Sequence, residues 1–221
     1  MPDIYGTNDG YIWTNQTTGW DAGMDATTGA LTSTGASTTA YIVRIVVFTY
    51  SGSTRWIISR SFMEFDTSGI STPPSAATFK MYGSTQTTAD VIIVKGTQSD
   101  SLVSADYDNL DRSVPYSDEV ATWNSSAYND FTLNAAARQA MSDNDSFKIA
   151  IISHDYDYSD TNPGSPYKSY QLGGHYSESD ADKRPYINYT DGAPPDPVVF
   201  NEFKVKNSNV NIKKGNLKIN R

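Results

Sequence analysis

Short runs of β-branched and aromatic residues, separated by clusters of Thr, Ser, Asn, Asp and Gly, occupy most of this 221-residue chain. Long stretches with a 3.6-residue apolar period are scarce. Runs of that length bounded by turn-formers cannot become a helical bundle, but they suit a β-sandwich or barrel. Strands are predicted over Gly10–Asn15, Ala40–Tyr50, Arg55–Phe65, Ala76–Tyr82, Val91–Lys95, Phe147–Ser153, Ser169–Tyr176 and Pro185–Tyr189. Thr27–Thr39, Ser68–Ser75 and Asp160–Pro166 read as loops. One short helix is expected at Ala135–Met141, where Asn134 or Thr132 can cap the first amides and successive alanines favour the helix.

A body of this size buries a core without staples, and the chain has no cysteine for a disulfide or a thiolate metal site. The net charge of −8 is uneven: residues 196–221 carry six basic and two acidic groups, net +4, leaving −12 on residues 1–195. An acidic body repels nucleic acid. No run approaches the roughly 20 apolar residues of a membrane helix. Met1-Pro2-Asp3-Ile4-Tyr5 lacks the basic start and apolar run of a signal peptide, so the expected location is a virion surface or an extracellular appendage reached by a signal-independent route.

Asp191-Gly-Ala-Pro-Pro-Asp-Pro197 reads as a stiff linker dividing a body, residues 1–190, from a tail, residues 198–221. In the tail, Phe203-Lys-Val205, Val210-Asn-Ile212 and Leu217-Lys-Ile219 repeat every seven residues, with turn-formers between them. Apolar spacings of two and five fit short strands rather than a coiled coil. So few residues cannot bury three strands alone. The tail is therefore expected to pair with other copies of itself, a trimer suiting a β-helical shaft, or with another structural protein. A disordered solubilising tail is the alternative reading.

Three stretches of the body resemble the jelly-roll modules called DNRLRE-type domains, related to family 96 carbohydrate-binding modules. They are Arg60-Ser-Phe62-Met-Glu-Phe65-Asp66-Thr-Ser68-Gly-Ile70 with Pro73-Pro74-Ser-Ala76, Phe131-Thr-Leu133 with the alanine run, and Tyr176-Ser-Glu178 leading to Arg184-Pro185-Tyr186-Ile187-Asn-Tyr189. The resemblance implies a jelly-roll β-sandwich used for surface display or glycan binding. Read from the residues themselves, Phe62, Phe65, Ile187 and Tyr189 are core. Arg60, Arg184 and Glu178 either make a structural ion pair or touch a ligand.

Signs of catalysis are few. His154 and His175 have no HExxH or HxH spacing, and GxSxG, GxGxxG and P-loop patterns are missing. A glycosidase pair among 25 carboxylates would be recognised only by a measured separation. The chain is therefore expected to be no enzyme. Two aspartate clusters, Asp106/Asp108/Asp111 and Asp155/Asp157/Asp160, space oxygens as a structural calcium site requires, with solvated turns as the alternative. Tyr156, Tyr158, Tyr167 and Tyr170 flank the loop Asp160–Pro166 and are the expected glycan contacts, an apolar face with a polar tip being suited to sugar rings. Trp123 is expected in the core.

Overall fold

The computed structural model describes residues 2–33, 39–87, 90–164, 167–177 and 181–193. The tail residues Phe203, Val205, Val210, Ile212, Leu217 and Ile219, the prolines of the linker, and Glu178 lie outside them.

The body is an all-β sandwich whose described residues form eleven strands in antiparallel pairings: β1 (Asp3–Gln16), β2 (Ala30–Ser33), β3 (Thr39–Tyr50), β4 (Ser53–Asp66), β5 (Ala76–Gln86), β6 (Val91–Gly96), β7 (Leu110–Pro115), β8 (Tyr128–Thr132), β9 (Ser146–Ser153), β10 (Lys168–His175) and β11 (Tyr186–Thr190). The eight expected strands are present. Three more are β2, inside a segment read as a loop, and β7 and β8. These are short and polar, and only their pairing partners make them strands. The expected helix is α2 (Ala135–Asp143), capped by Asn134, whose side chain accepts from the Ala137 amide at 3.0 Å. A second, five-residue helix, α1 (Trp20–Met24), has no such cap and was not legible. Among the described residues no helix is long and apolar enough to cross a membrane.

A small sheet has the order β1–β11–β5–β8. A large sheet joins β2, β1, β4, β9, β6 and β7, with β3 and β10 also attached. Strands β1 and β5 serve both sheets, so the hydrogen bonding is continuous around the sandwich. Between Thr7 and Gly10 the register of β1 shifts. Asn8 sits there at φ 45°, a value asparagine tolerates better than most residues. Its amide group bonds Glu64 Oε2 at 3.0 Å and the Asp100 carbonyl at 2.5 Å, which fixes the bulge.

Strand β4 is the spine. One edge pairs with β1 throughout, whereas the other pairs with β3 from Ser53 to Ser59 and with β9 from Ser61 to Asp66. Arg60 stands at the handover.

The large sheet is buried on both faces. Met63, Phe65, Val91, Ile93, Phe147, Ile149 and Ile151 face the small sheet in one core. Ile58, Phe62, Ile92, Val94, Ala150 and Ile152 face away, into a second core with Trp20, Met24, Leu102 and Tyr107. Doubly buried strands read as unbroken apolar runs, as in Val91–Val94 and Ile149–Ile152. Phe62, Phe65 and Ile187 are fully buried as expected, and Trp123 is buried at 2% exposure, while Tyr189 only borders the core.

Candidate functional site

The outer core is closed by three connections: α1, a 3₁₀ turn at Ser104–Asp108, and a π-helical turn at His154–Tyr158. Arg60 fastens all three. It is fully buried, and each of its five N–H groups has an acceptor. Nε and Nη2 donate to the Asp157 carboxylate at 2.8 and 3.0 Å. Nη1 donates to the Tyr107 carbonyl and to Asp108 Oδ1, both at 3.0 Å, and Nη2 reaches the Met24 carbonyl at 3.2 Å. The guanidinium also lies 4.3 Å from the Tyr107 ring centroid. Burial opposes the charge most strongly, but Asp157, Tyr107 and Asp108 together outweigh it and hold the Arg60 pKa above its ordinary value. Arg60 is therefore a structural residue with no donor left for a ligand. Its ion-pair partners are Asp157 and Asp108, residues far off in sequence.

The aspartates expected around calcium are largely spent in this way. Asp157 is fully buried against Arg60, with Arg112 at 3.7 Å, and Asp108 holds Nη1 of Arg60. Asp106 is buried and accepts from the Ser99 and Val103 amides at 2.9 and 2.8 Å and from the Asn109 side chain at 2.6 Å, bracing its own loop. Asp111 accepts from Ser113 in a local turn, and Asp160 is exposed at φ 50°. Neither trio converges: among the described residues, neither is a group of three ligand atoms lying within 4.8 Å of one another.

The four expected sugar-contact tyrosines do not form one surface. The π-helical turn folds back onto the large sheet, so Tyr156, Tyr158 and Tyr170 are half-buried against the outer core. Tyr156 and Tyr170 meet each other at 4.6 Å, and Tyr158 stacks on His154. Tyr167 stands apart, 79% exposed.

A different aromatic surface lies on the outer face of the small sheet. In β5, Ala77, Phe79 and Met81 point into the core, so Thr78, Lys80 and Tyr82 point out. The same alternation turns Tyr128 of β8 and Tyr186 of β11 outward, away from Phe131 and Ile187. Cross-strand register then sets Tyr5 opposite Tyr186 and Tyr82 opposite Tyr128. Tyr5, Tyr186, Tyr128, Tyr82 and His175 form an unbroken row, successive ring centroids being 5.9, 5.3, 5.3 and 5.2 Å apart. The last three contacts are edge-to-face, the favoured arrangement of ring quadrupoles. Lys183 lies over Tyr82, and a Lys80–Asp130 pair at 2.6 Å flanks the row. The Tyr128 hydroxyl donates to the Asp182 and Arg184 carbonyls at 2.9 and 3.1 Å. Burial, with Tyr186, Asp182, Tyr5 and Tyr82 adding to it, pushes its pKa up to about 12. The sequence signal for this row was the outward half of each alternating strand. Which rings meet depends on register between distant strands.

A concave groove of about 480 Å³ also lies between the end of α2 and the start of β9, floored by Tyr116 and Phe147. Its Lys148 is already bonded to Asp100 at 2.6 Å and to the Gln98 carbonyl at 2.9 Å. No protein-family model matches the chain, and no curated protein matches it.

Proposed function

We propose that this protein is a non-enzymatic structural module of a virion or surface appendage, of the decoration or fibre kind, that displays a β-sandwich and binds surface polysaccharide through it. The observation that supports a binding role is the five-ring aromatic row on the small sheet. A sheet face carried on a packed core is rigid, so little ordering cost attends binding there. Aromatic rings with hydroxyl tips offer apolar faces and hydrogen bonds together, matching the two-sided chemistry of a sugar ring. The row runs over five strands, the four of the small sheet and the end of β10, which suits an extended chain better than a small compact ligand.

The display role rests on the seven-residue pattern of the basic tail, which needs a partner strand to bury its apolar residues. Light scattering on the full chain and on a version ending at Asp191 tests it. An oligomeric full chain with a folded, monomeric body supports assembly through the tail. Two monomers would sink self-association. A polysaccharide array probed with both forms tests the binding role. Retention by the body, lost on Tyr186→Ala, is the expected result; silence of both forms would remove it.

A further inference from the structure

We propose that Glu119, His154 and Asp155 form a binding site for one divalent transition-metal ion of the zinc class. The topology brings them together. Val91, at the start of β6, pairs with Ser153 on one side and with Val120 on the other. His154 and Glu119, next in the chain to those two pairing partners, are thereby brought to the same end of the large sheet. The Val120 amide donates to the Val91 carbonyl at 2.8 Å, and the His154 amide donates to the Asp90 carbonyl at 2.9 Å, so both backbones are held. The imidazole is oriented by stacking on Tyr158, with ring centroids 5.5 Å apart and planes 20° from parallel.

Nδ1 of His154 lies 2.6 Å from Glu119 Oε2 and 3.6 Å from Asp155 Oδ1, and the three ligand atoms lie within 4.8 Å of one another. Nδ1 is shielded from solvent and yet makes no hydrogen bond, so the close Glu119 oxygen meets it outside hydrogen-bond geometry. Nδ1 is thus a shielded ring nitrogen with two carboxylates beside it and no hydrogen bond of its own. Ligand atoms sharing a tetrahedral zinc ion at about 2.0–2.2 Å stand roughly 3.4 Å apart; Asp155 at 3.6 Å is already near that spacing, and the exposed Glu119 side chain, now at 2.6 Å, would draw back to admit the ion. An imidazole nitrogen with two carboxylates selects zinc and its neighbours over calcium or magnesium, which take oxygen-only sets. Bound there, the ion would tie the Glu119 segment to the π-helical turn.

The test is calorimetric titration of zinc chloride into the full chain after chelator treatment. Binding of one ion per chain is expected. Glu119→Gln, at an exposed side chain, and His154→Gln should each weaken it at least tenfold, with unchanged circular dichroism. Asp160→Asn, outside the group, should leave it intact. Absence of saturable zinc binding overturns the proposal, as does binding that survives Glu119→Gln at full strength. Calcium binding at the same residues without zinc binding also overturns it.

Discussion

Arg60 and Asp157 form a bidentate ion pair, Nε and Nη2 to the two carboxylate oxygens at 2.8 and 3.0 Å, with both side chains wholly shielded from water. They come from β4 and from the π-helical turn, 97 residues apart, so the pair joins the spine of the large sheet to the layer that covers it. Asp157→Ala leaves a guanidinium buried against one remaining carboxylate. A loss of about 3–5 kcal/mol is expected, read from the urea midpoint at unchanged m-value. Arg60→Met combined with Asp157→Leu should recover much of it, because no charge is then left unpaired. An equally large loss in the double variant would show that the pair contributes net stability.

Asp106 makes stability acid-sensitive. Burial alone would raise its carboxyl, but the Val103 and Ser99 amides, with the Asn109 and Ser99 side chains, hold it below the usual range. Its stabilisation is therefore present above the unfolded pKa, about 3.9, and is lost as pH falls through the lower folded value. Asp106→Asn should cost about 1–3 kcal/mol at neutral pH by unpairing buried donors. It should also flatten the fall of the urea midpoint below about pH 4.

Tyr128 has the opposite sense. Its folded pKa of about 12 exceeds the ordinary tyrosine value of about 10, so its share of stability is full below pH 10 and is lost as pH rises toward 12. Tyr128→Phe should be less stable at pH 9, having lost the hydroxyl that donates to two carbonyls, yet should decline less between pH 10 and pH 12. Denaturation at a series of alkaline pH values measures the slope. A slope equal to wild type would assign the alkaline loss elsewhere.

Two backbone devices give further checks. Asn134→Ala removes the cap of α2 and should cost about 1 kcal/mol. At Gly83, where β5 passes Asn124, an added Cβ would stand 2.0 Å from a backbone carbonyl. Gly83→Ala should therefore cost about 1–3 kcal/mol or more, since a backbone atom cannot rotate away. A melting temperature unchanged by Gly83→Ala would contradict the close approach.

Much of the fold was legible where one segment carries its own signal. Ile149–Ile152 reads as a strand because it is apolar on both faces, and α2 reads as a helix because Asn134 and the alanines favour it locally. Residues 110–115 and 128–132 do not, since their polar side chains fit a loop equally well until a neighbouring strand takes their amides. Tyr156, Tyr158 and Tyr170 are conspicuous in the sequence, but the turn that carries the first two folds inward, onto Tyr170 of β10. Tyr5, Tyr82, Tyr128 and Tyr186 were spread over 182 residues, and nothing in their local context joined them.

The sequence by itself determined that this chain forms strands, where its one capped helix lies, and that it forms no disulfide. Those follow from short-range properties: side-chain branching, alternation, capping and residue type. Only the tertiary structure decided which charges are structural, which tyrosines share a face, and that Glu119 meets His154. Those outcomes depend on register and on loops folding over a sheet, where small differences in buried area select one pairing among many.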